Sequence, residues 1–131
     1  MGHTSDGSLT CTLQNFDGVA CLALAGEINT DNALILKAHL RMAGKSQTET
    51  IVLDLTDLEN LSSSAVDVIL DGQRTLALQG QMIVLAAPSL SIRKALAVLR
   101  SERMMPVFAS VEEALTYLGA VSDSEEPLAG S

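Results

Sequence analysis

The sequence predicts a mixed α/β domain of element order ββαβαβαβα, with four to five strands in one mixed sheet covered by about four helices. Three observations carry this prediction. Two apolar segments at the start are joined by Asp17-Gly18, further short apolar runs recur at 51–55, 82–86 and 106–108, and amphipathic segments with helix start and stop residues separate those runs. Strand–helix alternation after an opening hairpin favours a sheet with helices packed on it.

Residues 1–8 (MGHTSDGS) are polar and are expected to form a disordered N-terminal tail. Residues 9–16 alternate imperfectly, Asp17-Gly18 suits a tight turn, and 19–25 (VACLALA) is a continuous apolar run of the kind buried on both faces of a sheet. Gly26 to Thr30 breaks that run and offers Asn29 and Thr30 as N-caps for a helix over about 31–43. Ala33, Leu36 and Leu40 share one face of this helix, and Gly44 suits the position just past its end. Residues 51–55 read as the third strand and 60–64 as a polar loop. A second helix follows over about 64–78, with Val66, Ile69, Leu70 and Ala77 on one side and Asp67, Asp71 and Arg74 on another.

Gly80 ends that helix, and 82–86 is a wholly apolar fourth strand. Pro88-Ser89 opens a helix in which Ile92, Ala95, Leu96 and Leu99 recur at helical spacing. Residues 106–108 form a short last strand. Ser110-Val111-Glu112-Glu113 is a capping box that starts a helix to about Leu118. The acidic, small-residue stretch 120–131 is expected to be a disordered tail, leaving a single domain over 9–119.

The 131 residues are 47% hydrophobic, enough to build a core without disulfides. Aromatics are scarce (no Trp, one Tyr, two Phe), so few side chains are available to stack on bases or sugars. Formal charge is −8, from 8 basic and 16 acidic residues, and the basic ones are dispersed along the chain. Nucleic acid and anionic membrane surfaces are therefore excluded as partners. No apolar run approaches the roughly 20 residues of a membrane span, so no membrane insertion is expected. Cys11 and Cys21, both in apolar segments, read as reduced core thiols, and together with the absence of a signal-like start they point to the cytoplasm.

Motifs for chemistry are mostly wanting. The histidines are His3 and His39, and His39 reads as an exposed or partly packed helix residue with no ligand partner within a turn, so no metal and no cofactor are expected. No Gly-x-Ser-x-Gly elbow holds a nucleophile, which weakens a hydrolase reading. Gly44-Lys45-Ser46 has His39 where a phosphate loop needs glycine and follows a helix, so it reads as a helix end. Asp54, Asp57 and Glu59 read as solvated charges at a strand end and loop.

Ser62-Ser63-Ser64-Ala65 is the informative stretch. The serines can act as helix caps, or one can carry a phosphate, which free N–H groups and the positive dipole end of a helix would accommodate.

At these residues the sequence resembles the STAS family of sulfate transporters and anti-sigma factor antagonists, over about 9–119. The resemblance is carried by Gly26-Glu27-Ile28-Asn29, by Ile51-Val52-Leu53-Asp54-Leu55-Thr56, and by the stretches 58–66 and 82–88. Val107-Phe108 followed by Val111-Glu112-Glu113-Ala114-Leu115 completes it. It implies a STAS-like fold and a non-enzymatic bacterial protein that regulates transcription through protein contacts.

The family's motif Asp-Ser-Ser-Gly-Leu-Gly corresponds here to Ser62-Ser63-Ser64-Ala65-Val66-Asp67. The match implies phosphorylation at Ser64, with Ser63 as the neighbouring alternative. It also implies a partner surface made of Asn29, Thr30, Ser62, Ser63, Ser64, Ala65, Asp67 and Asp71. The implied partner is an anti-sigma factor or kinase-type regulatory protein, with other STAS proteins as further candidates. A second implied role is an unphosphorylated accessory subunit of a stressosome or a lipid-transport ATPase complex.

Three residues depart from the motif. Ser62 removes a carboxylate, Ala65 removes the φ > 0 freedom of glycine, and Asp67 adds negative charge within one turn of Ser64.

Overall fold

Side-chain alternation along the inner strands divides the core into two layers, and the helices follow that division. The computed structural model describes residues 2–5, 9–16, 18–45, 48–98 and 105–119. Its elements are β1 (Gly2–Ser5), β2 (Leu9–Phe16), β3 (Val19–Ile28), α1 (Ala33–Gly44), β4 (Thr50–Leu61), α2 (Ser63–Ala77), β5 (Met82–Ala86), α3 (Leu90–Val98), β6 (Val107–Phe108) and α4 (Val111–Tyr117).

The strands lie side by side in sequence order, β1 to β6. The β1–β2 and β2–β3 pairs are antiparallel, and β3 through β6 are parallel. The sheet is mixed, as expected, with six strands among the described residues. The additional strand is β1, within the stretch expected to be disordered. Its backbone pairs with β2 from Gly2↔Leu13 to Ser5↔Thr10, and an edge pairing of this kind requires no apolar side chain. The expected C-terminal tail lies outside the described residues.

On one layer, Leu22 and Leu24 of β3, Ile51, Leu53 and Leu55 of β4, and Ile83 and Leu85 of β5 are buried together with Leu36 and Leu40 of α1 and Val66 and Ile69 of α2. Ile92 and Leu96 of α3 join the same cluster. The alternate positions Cys21, Val52, Val84 and Ala86 pack on the other layer against Ala114 and Leu115 of α4. Strand β4 is therefore covered on both faces along its first half, which accounts for the unbroken apolar run at 51–53.

Several boundaries differ from expectation. Strand β3 does not stop at Ala25; it continues to Ile28, absorbing register shifts near Ala25 and Gly26, where Gly26 takes φ +96°. Strand β4 runs on to Leu61, because its backbone keeps pairing with β3 although Thr56, Asp57, Glu59 and Asn60 are exposed.

Gly44 is the last residue of α1 rather than the residue beyond it. Its bareness serves packing, since a Cβ there would stand 2.6 Å from Leu76 Cδ2. Ala77 is exposed and Leu76 takes the buried position on α2. His39 is buried (4% exposed) rather than exposed or partly packed, with Nδ1 3.0 Å from the Ile35 carbonyl oxygen one turn back.

Both cysteines are free and buried. Burial, and secondarily the nearby Asp54 carboxylate, pushes the Cys21 thiol up to about 11 from 9.0. Between these two values the unfolded chain loses the proton while the folded chain keeps it, so stability falls as pH rises. Denaturation curves collected across that window should show this component in the parent and lack it in Cys21→Ala. At the centre of the sheet Leu53 is fully buried. Leu53→Ala should cost about 3 kcal/mol by urea denaturation, through lost burial and the cavity left behind.

Candidate functional site

The parallel strands β3 and β4 end together, with Ile28 paired to Leu61, and the chain leaves both at the same edge of the sheet. The Ser62 N–H donates to the Ile28 carbonyl oxygen at 2.9 Å, closing that edge. The expected polar loop 60–64 is thereby reduced to Ser62, since Asn60 and Leu61 are strand and Ser63 and Ser64 are helix.

Ser62 is the N-cap of α2, with extended backbone and an Oγ that accepts the Ala65 N–H at 3.1 Å. Its carbonyl accepts the Val66 N–H. Ser63 and Ser64 occupy the first turn, where N–H groups have no intrahelical acceptor.

Across the edge, Asn29 and Thr30 do not cap α1. The cap position is Asn32, whose side chain is used within the turn before the helix. The Asn29 N–H donates to Asn32 Oδ1 (2.8 Å), the Asn32 N–H donates to Asn29 Oδ1 (3.0 Å), and Asn32 Nδ2 donates to the Glu27 carbonyl (3.0 Å). This reciprocal pair stiffens the turn, with Asn32 buried and Thr30 and Asp31 exposed at its tip. Thr30 Oγ1 then lies 3.2 Å from Ser64 Oγ, so two hydroxyls 34 residues apart in sequence share a hydrogen bond at the surface.

Of the residues assigned to the partner surface, Thr30, Ser63, Asp67 and Asp71 are exposed, and Asn29, Ser62 and Ser64 are half-buried. Ala65 is a correction. Its methyl group is fully buried in the core beneath α2 and cannot touch a second protein. Nor does it occupy a conformation that needs glycine, because it sits within α2 and is not among the positive-φ residues. Asp71 is paired with Arg74 at 2.9 Å, both well exposed, a contact that contributes little to stability.

Asp54 turns to Thr56, accepting from its N–H (3.0 Å) and its hydroxyl (2.6 Å). Asp57 and Glu59 are exposed on β4 itself, not in a loop. Among the described residues no carboxylate or imidazole hydrogen-bonds to Ser62, Ser63 or Ser64. The described residues also hold no cluster of three or more metal-ligating side chains. No described helix is long and apolar enough to cross a membrane.

Two features of this edge escaped the sequence reading. Asn32 is one, and its signal is the Asn-x-x-Asn spacing that lets each side chain reach the other's N–H. Ala87 is the other. It takes φ +58° just past β5, in the left-handed region, while its N–H donates to the Phe108 carbonyl. Nothing in its residue type announces that conformation.

The model of the STAS domain family matches residues 11–114. The chain belongs to the STAS domain family. Its fold is similar to a crystal structure of an anti-sigma factor antagonist from Mycobacterium paratuberculosis, with TM-score 0.79 and 20% identity over 88% of this chain and 98% of that one. It is also similar to the anti-sigma factor antagonist SpoIIAA in its unphosphorylated form (TM-score 0.72, 22% identity, 85% and 97% covered). The phosphorylated form of the Bacillus cell fate determinant SpoIIAA matches with TM-score 0.65 and 23% identity, over 82% of this chain and 98% of that one. No curated protein matches the chain in sequence. In this STAS domain the expected serine stretch stands at the edge where β3 and β4 end, with a second hydroxyl supplied by the β3–α1 turn.

The cap at Ser62 is directly testable. Ser62→Ala leaves the Ala65 N–H without its acceptor and should cost about 1 kcal/mol in thermal or urea denaturation, with the far-UV spectrum otherwise retained.

Proposed function

We propose that this STAS domain acts in the cytoplasm as an anti-sigma factor antagonist without catalytic activity. In this reading it docks on a kinase-type anti-sigma factor through the edge that carries Thr30, Ser63, Ser64 and the outer face of α2, and Ser64 is the phosphoacceptor. The observation that carries the proposal is the Thr30–Ser64 contact at the surface. It puts the Ser64 hydroxyl where two separate elements meet, so a change there is felt by both.

The chemistry of a switch follows from that position. Phosphorylation replaces the Ser64 hydroxyl by a group carrying about −1.5 to −2 charges and strong acceptor oxygens. The unpartnered N–H groups of the first turn of α2 and the hydroxyl of Thr30 can each donate to those oxygens, so the protein itself tolerates the modification. A docked partner does not. A dianion with its hydration shell at the centre of a contact must be stripped of water or excluded, and either weakens binding. Asp67, one turn further along α2, opposes the modification and should slow it without moving its site. Ser63 is the less apt acceptor because no hydrogen bond joins it to the opposite turn.

The resemblance in fold to anti-sigma factor antagonists supports this reading. The Ser62 and Asp67 departures favour a second one, an accessory subunit of a stressosome or lipid-transport ATPase complex that is never phosphorylated. One experiment separates them. Incubation with a kinase-type anti-sigma factor and ATP, followed by fragmentation mass spectrometry, should find a single phosphate on Ser64. Ser64→Ala should abolish it, and the modified protein should bind the kinase at least about tenfold more weakly. No phosphate, a phosphate elsewhere, or undiminished binding would contradict the proposal.

A further inference from the structure

The outer surface of the α1–α2 pair carries a groove of about 540 Å³. It begins four residues beyond Thr30 and Ser64, at Leu34 and Val68, and runs between the helices to Lys45 and Gln79. Two glycines let the helices pack closely along its floor. Gly44 and Gly72 stand where the two helices approach, and a Cβ at either would meet Leu76 or Leu40 at 3.0 Å or closer. The walls are apolar, and Leu34 is 70% exposed on the rim.

The charge of this groove is opposite to that of the molecule. Four of the chain's eight basic residues, Lys37, Arg41, Lys45 and Arg74, line it, against one carboxylate, Asp71, although the chain as a whole carries −8. Arg74 is already paired with Asp71. Among the described residues Lys37, Arg41 and Lys45 form no ion pair, and their i, i+4, i+8 spacing sets them in a row along one side of α1 and its C-cap.

We infer that this groove is a second docking surface, taking an amphipathic helix of another protein with an apolar stripe and acidic flanks. The apolar stripe would lie on the exposed Leu34 and the half-buried Val68, over a floor formed by the buried Leu40 and Leu76, and the carboxylates would meet Lys37, Arg41 and Lys45. The length fits, because α1 with its 12 residues spans about 18 Å, or roughly three turns of a docked helix. A second copy of this chain is disfavoured by symmetry, since an isologous contact would set the cationic row against itself. An anionic membrane is disfavoured by the strong negative charge of the remaining surface. The groove shares part of the outer face of α2 with the surface proposed for the anti-sigma factor but leaves out the serines, so the inference does not rest on phosphorylation of Ser64.

The test uses the full chain, isotope-labelled for NMR, and a synthetic helical peptide of about 18 residues with a leucine stripe flanked by glutamates. Saturable shifts should appear at Leu34, Val68 and Thr75. A matched peptide with lysines for glutamates should bind at least about tenfold more weakly. Lys37→Glu combined with Arg41→Glu, both at exposed positions, should reverse that preference, and Ser64→Ala should leave it unchanged. Absence of saturable shifts, shifts that map elsewhere, equal affinity for the two peptides, or self-association of the chain on the same residues would overturn the inference.

Discussion

The parallel ladder between β3 and β4, closed by the Ser62 N–H to Ile28 carbonyl hydrogen bond, is the constraint on which the rest of the structure depends. It keeps the two strands paired to their last residues, Ile28 and Leu61, so that the turn into α1 and the start of α2 emerge side by side. The core supplies the rigidity. Strand β4 is buried on both faces through Ile51, Val52 and Leu53, and α2 is held in the same core by Ala65, Val66 and Ile69. Once the ladder and that packing are set, little freedom remains to the first turn of α2. The Ser62 cap and the Asn29–Asn32 pair then fix the local geometry that brings Thr30 to Ser64.

The departures from the family motif can be read physically on this frame. Ser62 stands where a carboxylate is usual and still caps the helix, because capping needs one acceptor oxygen rather than a charge. Ala65 costs no backbone strain and fills space under α2, so its role is in folding rather than docking. Asp67 changes electrostatics without changing geometry, since it is exposed and points no hydrogen bond at the serines. On the proposed reading, Asp67 bears on how readily Ser64 would be modified, while Ser62 still caps the helix that carries it.

Much of the fold was legible in the residue pattern where side chains decide the outcome. Strand β5 occupies 82–86 as read from its unbroken apolar run, and Ser110 caps α4 by accepting the Glu113 N–H. The box is modified, however, because Glu113 Oε1 accepts from Ala109 rather than from Ser110. What escaped the sequence was decided by backbone pairing. β1 and the far half of β4 are strands because their N–H and C=O groups find partners, while their side chains look like those of a tail and a loop. The serine stretch was legible as the start of α2, but the loop before it was not, since five expected residues shrank to one. The contact between Thr30 and Ser64 joins two segments that no local pattern connects, and the burial of His39 likewise depends on packing outside its own helix.

Amide hydrogen exchange of the chain, alone and mixed with a kinase-type anti-sigma factor, tests the central claim most directly. New protection should concentrate in residues 29–34 and 62–72, on both sides of the strand-end edge, with β1, β2 and α4 unaffected. Protection confined to the α4 face of the sheet, or spread without regard to that edge, would contradict it.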